Sequence, residues 1–311
     1  MKKMFMAFIA LMMTISASAQ FYIYCKDGSV IVVDSISMIA PSQGNDKPSA
    51  GIGSFSVSAT KQVTFSPGNL QYTQSTDTWS FASTQWEVIG TDNVIGGSVS
   101  FDENVVGGTA LADKIDLFGW STRMTNFGVS TSKDYEDYSG EFVDWGTNQI
   151  GSDAPNTWRT LSKDEWLYIF YNRTNAQSLF ALGSVNGVKG TIILPDNWTT
   201  PAGVSFVAST TKGLYWNGSY YYNSNGKNFS HNIYTSEQWS KMEQAGAVFL
   251  PASGDRLGTD VLNVGICGYY WSSTELDEDD AYLVYFNSYD LDPQYDSTRS
   301  YGYSVRLAQD L

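Results

Sequence analysis

The sequence predicts an α+β fold in which two helices lie among short antiparallel strands and long ordered loops. Three observations favour this class: two segments carry complete helix-start signals, many short aromatic and β-branched runs end at turn residues, and a long middle region lacks periodicity. We expect this main domain to span residues 54–311 and to be preceded by an N-terminal β-hairpin.

Residues 1–19 have the three parts of a secretory signal. Lys2 and Lys3 form a basic start, Met4 to Ile15 is an apolar run, and Ala17 to Ala19 supplies the small residues that a signal peptidase reads. We therefore expect cleavage after Ala19 and a mature protein in the periplasm, on the outer surface or released. No later apolar stretch approaches the length of a membrane span.

Residues 20–40 and 41–53 form a separate N-terminal part. Asp27 and Gly28 are a turn signal within the aromatic and β-branched run Phe21 to Val33, which predicts a β-hairpin. Pro41 to Gly53 is rich in Ser, Gly and Pro, a composition typical of linkers. The main domain should begin near Ser54.

Short strands are predicted in the first part of the main domain and again at its end. They are Phe55 to Ser58, Gln62 to Ser66, Leu70 to Tyr72, Trp79 to Phe81, Trp86 to Ile89, Val248 to Pro251, Tyr269 to Thr274, Tyr282 to Phe286 and Ser304 to Leu307.

Both helices begin with a capping box, in which a hydroxyl and a Glu or Gln three residues later satisfy each other's free backbone N–H. Ser162 and Glu165 form the first box, and Thr235 and Gln238 form the second. Gly246 should end the second helix. The predicted apolar faces are Trp166, Ile169 and Phe170 in the first helix and Trp239, Met242 and Ala245 in the second.

The chain is acidic, with a formal net charge of −14. Such a surface repels phosphate backbones, so nucleic acid is an unsuitable partner. Cys25 and Cys267 are the only cysteines. Export makes a disulfide chemically possible, but the two residues lie in separate parts of the chain, and we favour two buried free thiols.

Four phrases in a fixed order carry a family resemblance. Trp158 to Trp166, Gly246 to Pro251, Gly268 to Thr274 and Gly302 to Arg306 resemble the bacterial major-paralogous-domain (FISUMP) proteins. Those proteins are similar to the formylglycine-generating-enzyme branch of C-type-lectin-like folds. The resemblance covers about residues 55–311 and implies a C-type-lectin-like domain.

The same resemblance implies structural roles for three residues. Trp166 would anchor the first helix in the core, Trp271 would lie on a closing strand, and Arg306 would lie on the last strand near acidic or carbonyl groups. Inward-facing aromatic residues usually belong to a core, although Trp271 is also a candidate ligand contact.

Residues for catalysis are scarce in this sequence. The formylglycine-generating enzymes use a cysteine pair near the C-terminus, and here only Cys267 lies in that half. His231 is the only histidine and lies in a polar loop, where we expect it to be solvated. We therefore expect no enzyme activity, no cofactor and no zinc site. Carboxylate pairs for glycoside hydrolysis remain an alternative because acids are plentiful.

An acidic run extends from Glu275 to Asp280. Clustered carboxylates suit calcium, but the run matches neither an EF-hand loop nor the signatures of calcium-dependent lectins. We interpret it as a solvated acidic loop.

The segment from Asn287 to Tyr303 is the candidate ligand-binding loop. Most of its residues are Asn, Asp, Ser or Tyr. Tyr offers a large rigid contact surface and the others offer adaptable hydrogen bonds, as in antibody paratopes. The candidate ligand-binding residues are Trp271, Asn287, Tyr289, Asp290, Asp292, Tyr295, Asp296, Arg299, Tyr301 and Tyr303.

The same composition resembles the variable proteins of diversity-generating retroelements. In those proteins, mutation of adenines diversifies the C-terminal part of a C-type-lectin-like fold, and Asn codons become Tyr, Asp or Ser codons. The alternative is a polar loop of an exported β-rich protein, in which these residues are common.

The sequence leaves three hypotheses for the function of the protein. The first is a binding protein that recognises an extracellular protein or carbohydrate through the candidate loop. The second is an assembly component of the cell surface, with the N-terminal hairpin contacting a partner chain. The third is a polysaccharide-active hydrolase.

Overall fold

The computed structural model describes residues 53–90, 114–121, 140–257 and 260–311, together with the backbone of residues 21–24 and 30–33. The predicted signal peptide, most of the predicted linker and Cys25 lie outside the described residues. The chain divides into two compact units, Met1–Asp46 and Lys47–Leu311.

The first unit contains two paired strands. Strand β1 (Phe21–Tyr24) pairs antiparallel with β2 (Val30–Val33), so that Phe21 lies opposite Val33 and Tyr24 opposite Val30. This pairing agrees with the hairpin that the Asp27-Gly28 turn signal predicts.

The second unit contains both helices and sheets, in agreement with the predicted α+β class. Helix α1 (Lys163–Leu167) continues into a π-helical segment, Tyr168–Asn172, and helix α2 spans Ser236–Gln244. The strands are β3 (Phe55–Ser56), β4 (Gln62–Phe65), β5 (Leu70–Thr73), β6 (Thr78–Phe81), β7 (Lys114–Ile115), β8 (Phe180–Val185), β9 (Val188–Ile193), β10 (Tyr215–Trp216), β11 (Tyr221–Tyr222), β12 (Ile233–Tyr234), β13 (Val248–Pro251), β14 (Asp255–Leu257), β15 (Asp260–Leu262), β16 (Gly268–Glu275), β17 (Asp280–Phe286), β18 (Asp290–Thr298) and β19 (Ala308–Asp310). Within the described part of the chain, neither helix has the length and apolar character that crossing a bilayer requires.

A five-stranded antiparallel sheet organises the second unit. Its order is β10-β11-β18-β17-β16. A four-stranded sheet has the order β12-β8-β9-β13, and its β12 runs parallel to β8. Three smaller sheets have the orders β19-β4-β3, β6-β5-β7 and β14-β15. The last strand, β19, pairs with the early strand β4, which brings the two ends of the unit together.

Hydrophobic clusters cover both faces of the five-stranded sheet. On one face, Tyr270, Phe286 and Leu291 pack with the aromatic residues of α1 and its π-helical extension. On the other face, Trp271 and Leu283 pack with residues of β5 to β7. A third cluster joins α2 to the four-stranded sheet. The sheet is therefore held by packing on both sides, at least over β16 and β17.

Both capping boxes are present. The Glu165 N–H donates to Ser162 Oγ at 3.3 Å while the Ser162 N–H donates to the Glu165 carboxylate at 2.8 Å. Thr235 and Gln238 make the equivalent pair of bonds at 3.2 and 3.0 Å. Each bond satisfies a backbone donor that the helix itself cannot use.

The predicted apolar faces are confirmed with one exception. The buried members are Trp166, Ile169, Phe170, Trp239 and Met242. Ala245 is exposed instead, because it is the C-cap of α2 and not a member of the helical stripe. The following Gly246 has a φ of +92°, which ends the helix in a conformation that glycine adopts readily.

Two strand predictions are wrong. Trp86 to Ile89 forms a turn and irregular chain, because the Glu87 side chain accepts the Ser83 N–H and the Asp116 side chain accepts the Ile89 N–H. The Glu87 and Asp116 carboxylates thus accept backbone N–H groups that would bond to a neighbouring strand in a sheet. Ser304 to Leu307 forms an isolated bridge from Ser304 to Tyr270 and accepts single backbone hydrogen bonds from Leu70 and Ser66, and the terminal strand begins at Ala308.

The candidate loop is also not a loop. Asp290–Thr298 forms the long strand β18, with Leu291 and Pro293 buried. The pairing with β17 shifts register between Leu283 and Tyr285, which accommodates a proline that has no N–H to donate. The many Asn, Asp, Ser and Tyr residues predicted a loop, but a strand with one polar face, such as β18, has the same composition.

Candidate functional site

Strand alternation separates two faces of β11 and β18. Tyr221 lies opposite Leu291, and both side chains are fully buried. The next pair, Tyr222 and Asp290, must point to the other face because successive side chains of a strand alternate. Tyr215 lies opposite Tyr222 and shares that face.

Asn217 builds the turn that joins β10 to β11. Its Oδ1 accepts the backbone N–H groups of Ser219 and Tyr220, each at 2.9 Å. Gly218 has a φ of +105°, which suits glycine. The side-chain amide of Gln294 on β18 donates to the Ser219 carbonyl at 2.8 Å. The short hairpin is thereby fixed to the neighbouring strand.

Asn287 builds the turn between β17 and β18. Its Oδ1 accepts the N–H groups of Tyr289 at 2.6 Å and Asp290 at 2.9 Å, and its amide donates to the Tyr285 hydroxyl at 2.5 Å. These bonds give Asn287 a structural role in the turn, and its predicted ligand contact stays a prediction.

Five tyrosines project into solvent from these strands and turns. We call them the tyrosine face: Tyr215 (63% exposed), Tyr220 (38%), Tyr222 (45%), Tyr289 (51%) and Tyr295 (41%). Large aromatic residues are usually more buried than this. The backbone that carries them is nevertheless fixed by sheet pairing and by the two Asn turns. The tyrosine face is therefore an exposed aromatic surface on an ordered support.

A row of rings connects the tyrosine face to the core. Tyr295 contacts Tyr285 with ring centroids 4.9 Å apart, Tyr285 contacts Tyr269 at 5.0 Å, Tyr269 stacks on Tyr303 at 4.7 Å, and Tyr303 contacts Trp271 at 4.7 Å. Burial raises the pKa of Tyr269, Tyr285 and Tyr303. Their hydroxyls therefore stay protonated and neutral at ordinary pH.

Trp271 and Tyr303, two of the predicted ligand contacts, lie in the core. Trp271 is fully buried, and its Nε1–H donates to the Phe118 carbonyl at 2.6 Å. Tyr303 is 3% exposed, and its hydroxyl shares a hydrogen bond of 2.8 Å with the Ser297 hydroxyl. Neither side chain reaches the surface.

Arg299 is also a structural residue. It is 1% exposed and its guanidinium lies 4.4 Å from the centre of the Trp120 ring. It donates to the Asp277 carbonyl, to the Glu275 carboxylate at 3.1 Å and to the Gly140 carbonyl at 3.2 Å. These contacts hold the acidic turn between β16 and β17 and replace the predicted ligand contact.

The remaining predicted residues lie at or near the surface. Asp290 and Asp292 are partly buried, and this burial raises the pKa of each carboxyl. Asp292 also accepts the Gln294 N–H at 2.9 Å. Asp296 is exposed, whereas Tyr301 is half-buried and packs edge-on against Tyr303. Tyr289 and Tyr295 are the predicted residues that belong to the tyrosine face.

Three members of the tyrosine face were missed by reasoning from the sequence. Tyr215, Tyr220 and Tyr222 lie far from the C-terminal segment and reach it through the pairing of β11 with β18. The signal that could have found them is Asn217-Gly218, a hairpin turn flanked by aromatic residues.

Cys267 and His231 are two residues whose side-chain chemistry suits a nucleophile or a base. Cys267 is buried, burial raises the pKa of its thiol, and it forms no disulfide within the described residues. A protonated thiol is a weak nucleophile. His231 is exposed, as predicted, and Glu275 to Asp279 are exposed as well. Over the described ranges, no group of three or more His, Cys, Asp and Glu side chains is arranged to hold a metal ion.

Comparison of the chain with protein families, with characterised proteins and with solved structures finds no match. The tyrosine face is therefore interpreted from its geometry.

Proposed function

We propose that the protein is an exported binding protein, without enzyme activity, that recognises an extracellular protein or glycan through the tyrosine face. The observation that supports this most directly is the exposure of five tyrosines on the strands and turns of one sheet, each leaving more than a third of its area in solvent. Tyrosine is enriched at recognition surfaces because one rigid side chain supplies both apolar area and a hydroxyl.

The ordered backbone that carries these tyrosines favours a role in binding. Asn217 and Asn287 fix the two turns, and Gln294 joins one turn to β18. A surface that is ordered before binding loses less conformational entropy when the ligand arrives. Such an arrangement suits recognition better than a mobile polar loop does.

The proposal includes a C-type-lectin-like fold. The positions of three residues support it: Trp166 and Trp271 are fully buried, and Arg306 is buried with hydrogen bonds to Asn69 and Gln85. The buried positions of Trp166 in α1 and Trp271 on β16 are those that the FISUMP resemblance implies. Arg306 lies near side-chain carbonyl groups, as implied, but it precedes the last strand β19 and is not on it. Variation of the C-terminal segment by a retroelement belongs to the same proposal, and the exposed positions Tyr289 and Tyr295 are where it would act.

Export has a direct test. Mass spectrometry of the N-terminal peptide of the protein recovered outside the cytoplasm should show Gln20, or its cyclised pyroglutamate form, as the first residue, directly after the expected cleavage site. A protein found only in the cytoplasm with residues 1–19 intact would contradict export.

The binding function is tested by replacing three members of the tyrosine face together. In Y220A/Y289A/Y295A, binding to a glycan array and to surface proteins of neighbouring cells should fall more than tenfold, because tyrosines at a binding surface each contribute about 1–2 kcal/mol or more. The melting temperature should change little because the three side chains are exposed.

Tyr171 provides the matched control. It has the same exposure as Tyr220, 38%, but stacks on Trp216, which packs against the core cluster on the opposite face of the sheet. Tyr171→Ala should leave binding intact. Equal binding by the wild type and the triple variant would place the ligand site elsewhere.

A further inference from the structure

Two adjoining cavities form a polar groove beside the tyrosine face. Their volumes are about 270 and 540 Å³, and they share Lys212, Asn223 and Asn225. The combined size lies within the range of small-molecule sites, about 300–1,000 Å³. We call this the lysine groove; the side chains that matter are Lys212, Asn223, Asn225, Lys227, Asn228 and His231, together with Tyr215 and Tyr222.

Asn223 fixes the wall that the two cavities share. Its amide donates to the Lys212 carbonyl at 3.2 Å, and its Oδ1 accepts the Asn225 N–H at 2.5 Å. Its own N–H donates to the Tyr289 carbonyl at 2.7 Å. The groove is thereby tied to the turn that carries Tyr289. Its shape is fixed by these bonds and does not depend on a ligand.

Asn228 supplies an unused acceptor in the groove. Its side chain is 1% exposed, and its amide donates to the Ser288 carbonyl at 3.3 Å. Its Oδ1 is buried and has no hydrogen-bond partner among the described residues. Buried polar atoms are nearly always partnered in folded proteins. A ligand hydroxyl would satisfy this oxygen, since an amide oxygen can only accept.

The charge of the groove is opposite to that of the chain. Lys212 and Lys227 line it, and no carboxylate is among its described lining side chains. The chain as a whole has a net charge of −14. A small ligand with a negative group is therefore favoured locally, whereas a long phosphate backbone would meet repulsion from the rest of the surface.

Combining these features, we infer that the lysine groove binds a negatively charged sugar residue of a glycan. The acid group lies toward Lys212 and Lys227, a ring hydroxyl donates to Asn228 Oδ1, and the sugar ring lies along Tyr215 and Tyr222. This inference rests on the proposed binding function and specifies its ligand class. It makes the tyrosine face and the groove two parts of one site.

Titration calorimetry with short probes tests the inference. The probes are trigalacturonate, which carries carboxylates, its neutral methyl ester, galactose 6-sulfate, free galactose and inorganic sulfate. The wild type should bind trigalacturonate or galactose 6-sulfate, and the stronger of the two identifies the acid group. The methyl ester and free galactose should bind about tenfold more weakly than their charged counterparts, because two exposed charge contacts are lost or absent.

Charge-matched variants locate the site. K212Q/K227Q should weaken binding of the acidic sugar about tenfold. K189Q/K241Q removes two exposed lysines elsewhere and should leave it unchanged. Neither pair is buried, so both variants should fold.

The outcomes separate this inference from the proposed function. Failure of both acidic sugars to bind, equal loss in the two lysine variants, or equal binding of the methyl ester overturns the groove assignment. Equal competition by inorganic sulfate indicates a simple anion site and also overturns it. If Y220A/Y289A/Y295A still abolishes array or cell binding in those cases, the binding function stands without the groove. If the triple variant binds normally as well, both proposals fail.

Discussion

Replacing Arg299 with Met tests whether this residue supports the structure or contacts a ligand. The guanidinium is buried against Trp120 and donates to carbonyl groups of Gly140 and Asp277 and to the Glu275 carboxylate. Met preserves most of the apolar volume but removes the charge and every donor. The strand end and the acidic turn then lose their common hydrogen-bonding partner.

The expected destabilisation is about 3 kcal/mol. A desolvated cation–π contact contributes about 2 kcal/mol, and hydrogen bonds from a charged group contribute about 1.5–3 kcal/mol each. Part of the lost stability is recovered, because the carbonyl and carboxylate acceptors lie on an exposed turn and can accept hydrogen bonds from water in place of the guanidinium. For a domain of this size, about 3 kcal/mol corresponds to a decrease in melting temperature of about 6–12 °C.

Urea denaturation followed by Trp fluorescence measures the loss, and glycan-array or cell binding is measured below the melting temperature. Arg299→Met should bind like the wild type in proportion to its folded fraction. Glu275→Gln is the control: Glu275 is 62% exposed, so its loss should cost less than about 0.5 kcal/mol. An Arg299→Met protein with wild-type stability but no binding would refute the structural assignment.

Three further predictions concern acid stability, a hairpin turn and the buried thiol. Partial burial raises the pKa of Asp196, but hydrogen bonds from Ser56 and the charge of Arg173 outweigh it and hold the pKa below 3.8. This carboxylate therefore stabilises the fold above about pH 4, and the contribution is lost as pH falls through the lower folded pKa. Asp196→Asn should lower the free energy of unfolding at pH 7, and this free energy should depend less on pH between about pH 4 and pH 2. Parallel acid-denaturation curves for the variant and the wild type would contradict this. Gly187→Ala should lower the free energy of unfolding, measured by urea denaturation, by about 1 kcal/mol, because φ at this position is +83°. An added Cβ meets no neighbouring atom, so backbone strain is the sole cause. Cys267 should react with iodoacetamide only as fast as the protein unfolds, since its side chain is buried and burial also raises the pKa of its thiol; rapid labelling of this residue in native buffer would show that the thiol is accessible.

Features set by a few neighbouring residues could be predicted from the sequence. Both capping boxes depend on two side chains three positions apart, and both are present with the expected bonds. The predicted strand Val248 to Pro251 is a continuous apolar run and is fully buried. The exception within α2, Ala245, lies where the helix ends, and its exposure depends on the chain direction that follows.

Pairings between distant segments were harder to predict. The hairpin of β8 and β9 was missed although its turn is Asn186-Gly187, with φ values of +50° and +83° that fit a type I′ turn. Its β8 residues are all buried, so the alternation that indicates a strand is lacking. The candidate site depends on a similar omission, because the hairpin of β10, β11 and their connecting turn contributes three of the five tyrosines.

The C-terminal segment shows why composition alone was misleading. Asn287 to Tyr303 reads as a polar loop, yet Leu291 and Tyr303 point inward and Tyr289 and Tyr295 point outward. Composition counts residue types and does not separate the two faces of a strand. Among the predicted ligand contacts, Trp271, Arg299 and Tyr303 are buried.

This division also constrains how the segment can vary. A substitution at Tyr289, Tyr295 or Asp296 changes a side chain that is exposed, so its cost in stability should be within about 0.5 kcal/mol. Leu291→Ala would leave a cavity and should cost about 2–5 kcal/mol. Ligand specificity can therefore change at nearly constant stability only if variation is confined to the exposed positions of the segment. Diversification by a retroelement would produce variants at the outward positions while Leu291 stays fixed. Random drift of an unstructured polar loop would also change Leu291. The pattern of variation among copies of this segment therefore distinguishes diversification by a retroelement from random drift.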